Sequence, residues 1–130
     1  MNIVLDTCAL LWFTLDTQKM SKKALKVCEE AEISGSIYVS SISLWEIGLK
    51  IKNSKLDIGM TIEKYTRSLE SVSTINIVPI TTEHWLQNLK LKWNHRDPAD
   101  RVIVALAKLE KRTLITKDEK MRAYFNKSLW

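Results

Sequence analysis

Short apolar runs and helix-period stripes alternate along the whole chain, and that alternation restricts the architectures open to it. "NIVL" (2–5) is a short uncharged run and reads as a buried strand. "TCALLWFTL" (7–15) continues as a helix. In "SKKALKVCEEAE" (21–32), Ser21 is placed as an N-cap, and Ala24, Leu25, Val27, Cys28 and Ala31 form one stripe. "SIYVS" (36–40) is a second strand, followed by "ISLWEIGLKIK" (42–52), whose apolar residues at 42, 45, 49 and at 44, 47, 51 predict a well-buried helix. Residues 60–72 read as helix, "INIVPI" (75–80) as a third strand ended by Pro79, and "TTEHWLQNLKLKW" (81–93) as helix. "PADRVIVALAKLEK" (98–111) has proline in its first turn, "TLIT" (113–116) is a fourth strand, and "DEKMRAYF" (118–125) a last short helix. Strands separated by helices need crossover connections, so the sheet is expected to be mainly parallel and covered on both faces. Sites in such sheets form beyond the carboxyl ends of the strands.

A length of 130 residues fits one domain, 1–130, with a real core. Only three Gly and two Pro argue against a loop-rich or disordered chain. The net charge of +5 favours an anionic partner such as nucleic acid, although a lysine-rich solvated surface explains it equally well. Cys8 and Cys28 make no disulfide framework and lack metal-ligand spacing; both are expected to be buried free thiols of a cytoplasmic protein. No secretory signal is visible, because Asp6 interrupts the first apolar run. The longest uncharged stretch, 33–45, holds five serines and a glycine, too short and polar for a bilayer span of about 20 residues.

Four acids stand where a parallel sheet would gather them. Asp6 follows strand 1 and Asp118 follows strand 4. Glu46 shares a helix face with Ile42 and Leu49, and Asp100 shares one with Ile103, Val104 and Ala107. A carboxylate beside an apolar stripe is costly unless a metal or cation neutralises it. Each acid also has a plain structural role open to it. Asp6 and Asp118 can be N-caps; Asp97 can cap the helix begun by Pro98, with Asp100 at its third position; Glu46 can pair with Lys50. Taken together these roles explain less, since caps are as readily Ser, Thr or Asn and Glu46 is not at a helix end. Clustered carboxylates suit hard cations such as Mg²⁺, and a metal so held activates water and neutralises charge on a phosphate. In a basic chain that chemistry points to phosphodiester hydrolysis.

"VLDTCALLW" (4–12), "SSISLWEIGLK" (40–50), "HRDPADRVIVALA" (95–107) and "LITKDEKM" (114–121), in this order, resemble the PIN-domain ribonucleases, in particular the VapC-type toxins of toxin–antitoxin pairs. The resemblance spans nearly the whole chain; an isolated "LDT" would be weak. It implies a three-layer α/β/α sandwich around a mainly parallel sheet of four or five strands. It implies a pocket in which Asp6, Glu46, Asp100 and Asp118 are the catalytic acids and the ligands of Mg²⁺ or Mn²⁺. Asp97 belongs to the same motif, and Thr7 and Thr116 match hydroxyl positions that steady the pocket. It further implies RNA as substrate, a homodimer, and a cognate antitoxin whose tail occludes the acids, with apolar grooves at the Trp-bearing early helices receiving its helix. The chain departs from the pattern at "YFNKSLW", soon after the fourth acid, where a fifth strand is expected to be very short or missing.

The remaining candidates are weaker. A metal-dependent nuclease needs no histidine, so His95 and His84 are read as structural or RNA-facing, with His84 on a helix surface. Trp12 and Trp45 fall on apolar stripes and are expected in core or interface packing. "KWNHR" (92–96) is a candidate RNA contact or a solvated loop, and Arg96 and Arg101 either hold a phosphate or pair with Asp97 and Asp100. Two rival functions stay open: a phosphatase or DNA nuclease on a similar sheet, and a module binding RNA or protein without turnover.

Overall fold

The computed structural model describes all of residues 1–130. Five strands, β1 (Ile3–Leu5), β2 (Ile37–Ser40), β3 (Ile75–Val78), β4 (Thr113–Ile115) and β5 (Ser128–Leu129), form one sheet in the order β3-β2-β1-β4-β5. Every pairing is parallel. Seven helices cover it: α1 (Thr7–Leu15), α2 (Lys22–Ile33), α3 (Ser41–Lys52), α4 (Ile62–Ser71), α5 (Thr82–Lys90), α6 (Pro98–Leu109) and α7 (Glu119–Tyr124). The expected α/β/α sandwich is therefore observed, with an all-parallel sheet. The fifth strand exists but has only two residues, and it pairs Leu114 with Ser128 and Ile115 with Leu129.

Strand alternation splits the interior in two. Ile3 and Leu5 point to one face, where Leu10, Ala24, Cys28, Ile47, Tyr65 and Leu69 bring in α1 to α4. Val4 and Leu114 point to the other, against Val102, Ile103 and Leu106 of α6 and Met121 of α7. Residues on both sides of β1 are fully buried, as a strand covered on both faces requires. The sequence of α6 produces its burial directly: seven of its twelve residues are buried, following Asp97 as N-cap and Pro98 at the first position.

Every one of the seven helices starts on a Ser, Thr or Asp whose side chain accepts a backbone N–H: Asp6, Ser21, Ser40, Thr61, Thr81, Asp97 and Asp118. Four features depart from the sequence-based expectation. Helix α5 ends at Lys90 instead of running to Trp93, because Arg101 draws the carbonyls of Asn88, Trp93 and His95 onto its guanidinium. His84 is not on a surface: it is buried, and its Nδ1 accepts the Thr81 N–H as half of a capping box. Helix α3 is less buried than its two stripes suggest, since Trp45 stands 55% exposed. Cys8 is likewise exposed, whereas Cys28 is buried and burial pushes its thiol up to about 12.

Candidate active site

The chain winds from β1 outward through β2 to β3, then returns to place β4 on the opposite side of β1. The order therefore reverses between β1 and β4, and the crevice beyond their carboxyl ends is where such sheets bind ligands. Asp6 follows β1 directly, and Thr116 follows β4 in register beside it, since Leu5 pairs with Ile115. Thr116 joins the two ends: its hydroxyl donates to Asp6 Oδ2 and accepts the Asp118 N–H at 3.1 Å. The other oxygen of Asp6 accepts the Ala9 N–H at 2.8 Å, as N-cap of α1.

A cavity of about 370 Å³ opens here, and Asp6, Glu46, Asp97, Asp100 and Asp118 all line it. They arrive from β1, α3, the start of α6 and the β4–α7 turn, which are far apart in the chain. Asp97 and Asp118 each spend Oδ1 on a cap, to the Asp100 and Met121 N–H groups, leaving the second oxygen without a hydrogen bond. Asp100 Oδ2 lies 2.7 Å from His95 Nε2. Glu46 pairs with no cation, so the alternative role open to it, an ion pair with Lys50, does not form. Thr7 donates to Ser43 Oγ at 3.0 Å and so ties α1 to the helix that carries Glu46.

The electrostatics follow from this crowding. Asp6 is buried, and its carboxyl is pushed from 3.8 up to about 6, mainly by loss of water, with the Asp100 and Asp118 charges adding to the rise. Its hydrogen bonds from Thr116 and Ala9 oppose that rise. Asp100 is also raised, again first by burial, against the pull of His95. Lys50 and Lys117 are the cations on the cavity wall, and neither pairs with an acid.

Sequence reasoning assembled the acids and the hydroxyls of Thr7 and Thr116, but not all of their neighbours. Ser43, Trp12, Lys50 and Lys117 line or brace the cavity, and Lys117 Nζ sits 5.7 Å above the Trp12 ring. "TKD" placed Lys117 next to Asp118 and helix period placed Lys50 near Glu46; only the fold brings Trp12 and these two lysines to one cavity. Arg101, expected near the acids as an RNA or carboxylate contact, is corrected: its guanidinium donates to Asn88 Oδ1 at 2.8 Å and to the surrounding backbone carbonyls. Arg96 is exposed beside the cavity and pairs with neither Asp97 nor Asp100.

All-oxygen donors and an unpaired glutamate match in type the donors that a hard divalent cation such as Mg²⁺ or Mn²⁺ takes. In this arrangement no three of them stand near enough together to hold one ion.

A parallel α/β/α sandwich with acids at its switch point defines a class of acid-pocket proteins built on a parallel sheet. Comparison with known proteins narrows it. The PIN domain family model matches residues 3–126, and the chain belongs to that family. It is 26% identical over 124 residues to "Ribonuclease VapC22" of Mycobacterium tuberculosis, covering 95% of this chain and 92% of that protein. A toxin–antitoxin complex from Klebsiella pneumoniae superposes with a TM-score of 0.65 at 22% identity, over 99% of this chain and 97% of that one. VapBC2 from Rickettsia felis, bound to a DNA fragment from its promoter, superposes at 0.63 and 20% identity, over 97% and 95%. These structural likenesses establish the fold.

Proposed function

We propose that this chain is a metal-dependent endoribonuclease, the toxin of a type II toxin–antitoxin pair, acting in the cytoplasm. One observation carries the reading: Asp6, Glu46, Asp100 and Asp118, from four separate parts of the chain, line one cavity at the switch point of the sheet. Asp6, Glu46, Asp100 and Asp118 would hold Mg²⁺ or Mn²⁺. When bound there, such a cation would supply an activated water and neutralise charge on the phosphate.

The chain's own groups do the rest. Asp6 is locked by Thr116 and Ala9, so it is the rigid member of the set. Glu46 is free to move toward a ligand, because no partner holds it. Lys50 and Lys117 are placed to meet phosphate oxygens. Asp100 Oδ2 lies 2.7 Å from His95 Nε2, which fixes its carboxylate on the cavity wall.

The likeness to toxin–antitoxin complexes supports a protein antitoxin as partner, and the toxin is proposed to be a homodimer. A cavity of about 600 Å³ between α3 and α4, walled by Leu44, Trp45 and Ile62, suits the apolar face of an antitoxin helix. A basic side chain from its tail would neutralise the acids.

Purified protein incubated with total cellular RNA should make discrete cuts in Mg²⁺ or Mn²⁺ and none in EDTA. A folded Asp100→Asn variant should cut at least about a hundredfold more slowly. Parallel DNA and phosphomonoester substrates should survive. Equal RNA binding by both proteins, with no cuts in any metal, would leave a binding module instead.

A further inference from the structure

A second, open cavity of about 690 Å³ lies between the 93–96 segment and α7. Its floor is a stack of three rings. His95 lies on Trp93 with centroids 4.5 Å apart and planes 26° from parallel. Tyr124 lies on Trp93 at 4.8 Å and 7°. Arg96 and Lys120 stand on the rim, both exposed and in no ion pair, with the exposed amide of Asn94 beside them. This cavity shares a wall with the acidic one, because His95, at the end of the stack, lies 2.7 Å by its Nε2 from Asp100 Oδ2.

The acidic cavity is poorly suited to hold a polyanion by itself. Five carboxylates line it against two lysines. A single-stranded nucleic acid is gripped elsewhere, by cations along its backbone and by aromatic faces against its bases. The neighbouring cleft has both, unpaired and within one residue pair of the acids. An acidic peptide would satisfy the two cations but leave the ring stack unused. A duplex would offer no unstacked base to it.

We propose that this cleft is a nucleotide subsite: it takes one unpaired nucleotide of the substrate next to the phosphate at the acids, the base against the His95–Trp93–Tyr124 stack and its phosphate against Arg96 and Lys120. The proposal rests on RNA being the substrate. It gives the "KWNHR" segment a binding role.

The test uses the full chain carrying Glu46→Gln, to slow cleavage, in Mg²⁺. Two fluorescein-labelled probes of equal length are compared by anisotropy: a short unpaired RNA and an abasic ribose-phosphate oligomer. The RNA should bind about tenfold more tightly than the abasic oligomer, the scale of one base stacked on an aromatic ring. Adding Tyr124→Ala should remove most of that difference while leaving the abasic oligomer's affinity unchanged, and Tyr124→Phe should keep it. Adding Arg96→Gln with Lys120→Gln should weaken both probes alike and flatten their salt dependence. Equal binding of the two probes, or a Tyr124→Ala protein of intact near-UV circular dichroism that still discriminates, would overturn the proposal. So would displacement of neither probe by RNA loops but of both by a polyglutamate peptide, which marks a protein-binding cleft. Because binding is read without turnover, a chain that never cuts RNA can still pass; one that cuts RNA with unchanged kcat/KM after Tyr124→Ala fails here alone.

Discussion

Asp6 sits where a carboxylate is costly to ionise, and that cost is measurable. Its folded-state pKa of about 6 lies above the ordinary 3.8. Between those values the folded chain holds a proton that the unfolded chain has released, so stability falls as pH rises through this window and levels off above it. The shift corresponds to about 3 kcal/mol at most. An Asp6→Asn chain keeps an oxygen for the Ala9 N–H but has no charge to bury. In metal-free buffer its urea midpoint should lose this part of the decline between pH 4 and 6.5 and exceed that of the parent at pH 7.5. Parallel pH profiles for the two proteins would show that Asp6 is not the group responsible. The acid at residue 6 was legible only together with the three other acids, since "VLDTC" alone reads equally well as a helix cap. Thr116 was expected near the pocket from the family resemblance, but that it donates to Asp6 follows only from strand register, 110 residues along the chain.

At the scale of the element, the segment between α5 and α6 is organised by one side chain. Arg101 serves the Asn88 carbonyl at 2.8 Å, the His95 carbonyl at 3.1 Å, the Trp93 carbonyl and the Asn88 side chain at 2.8 Å. A guanidinium offers five donors on three nitrogens and meets these spread acceptors together; a lysine ammonium has three donors on one nitrogen and cannot span them all. Arg101→Lys should cost about 2–4 kcal/mol in urea unfolding, by stranding partly buried carbonyls. Amide exchange in residues 91–97 should rise more than elsewhere. A uniform rise across the chain would mean that Arg101 only adds global stability. Helical periodicity ran α5 on to Trp93, because Leu91 and Trp93 continue an apolar pattern. Nothing in a local window shows that an arginine on the next helix competes for those carbonyls. His84 misled for a related reason: its ring turns back to cap its own helix, and that contact hides it from water.

For the whole molecule, the two-residue strand β5 closes the side of the sheet next to the site. The Thr116 N–H donates to the Leu129 carbonyl at 3.2 Å, and the Trp130 ring lies 5.5 Å from that of Trp12 on the cavity wall. Deleting residues 126–130 uncovers β4 and removes that ring. The shortened chain should lose about 2–3 kcal/mol of stability, on the scale of one large apolar side chain plus two strand hydrogen bonds. Its nuclease rate should fall further than that loss explains, since Thr116 braces both Asp6 and Asp118. Unchanged rate at a temperature where the shortened chain is folded would separate β5 from the site. No helix is long and apolar enough to cross a membrane.

Local order was written in the chain: strand and helix periods, seven capping residues, and a charge pattern that put acids after strands 1 and 4. These follow from chemistry within a few residues, and they sufficed to expect a parallel sheet and to name the acids that line its cavity. What tertiary structure alone decided is which groups those acids meet. Parallel register set Thr116 against Asp6. The strand order brought Trp12 and Lys117 to the acids carried by α3 and α6, and α7 laid Tyr124 on the Trp93 and His95 stack beside Asp100. A contact between distant residues depends on the closure of the whole fold, and no short stretch of sequence carries that information.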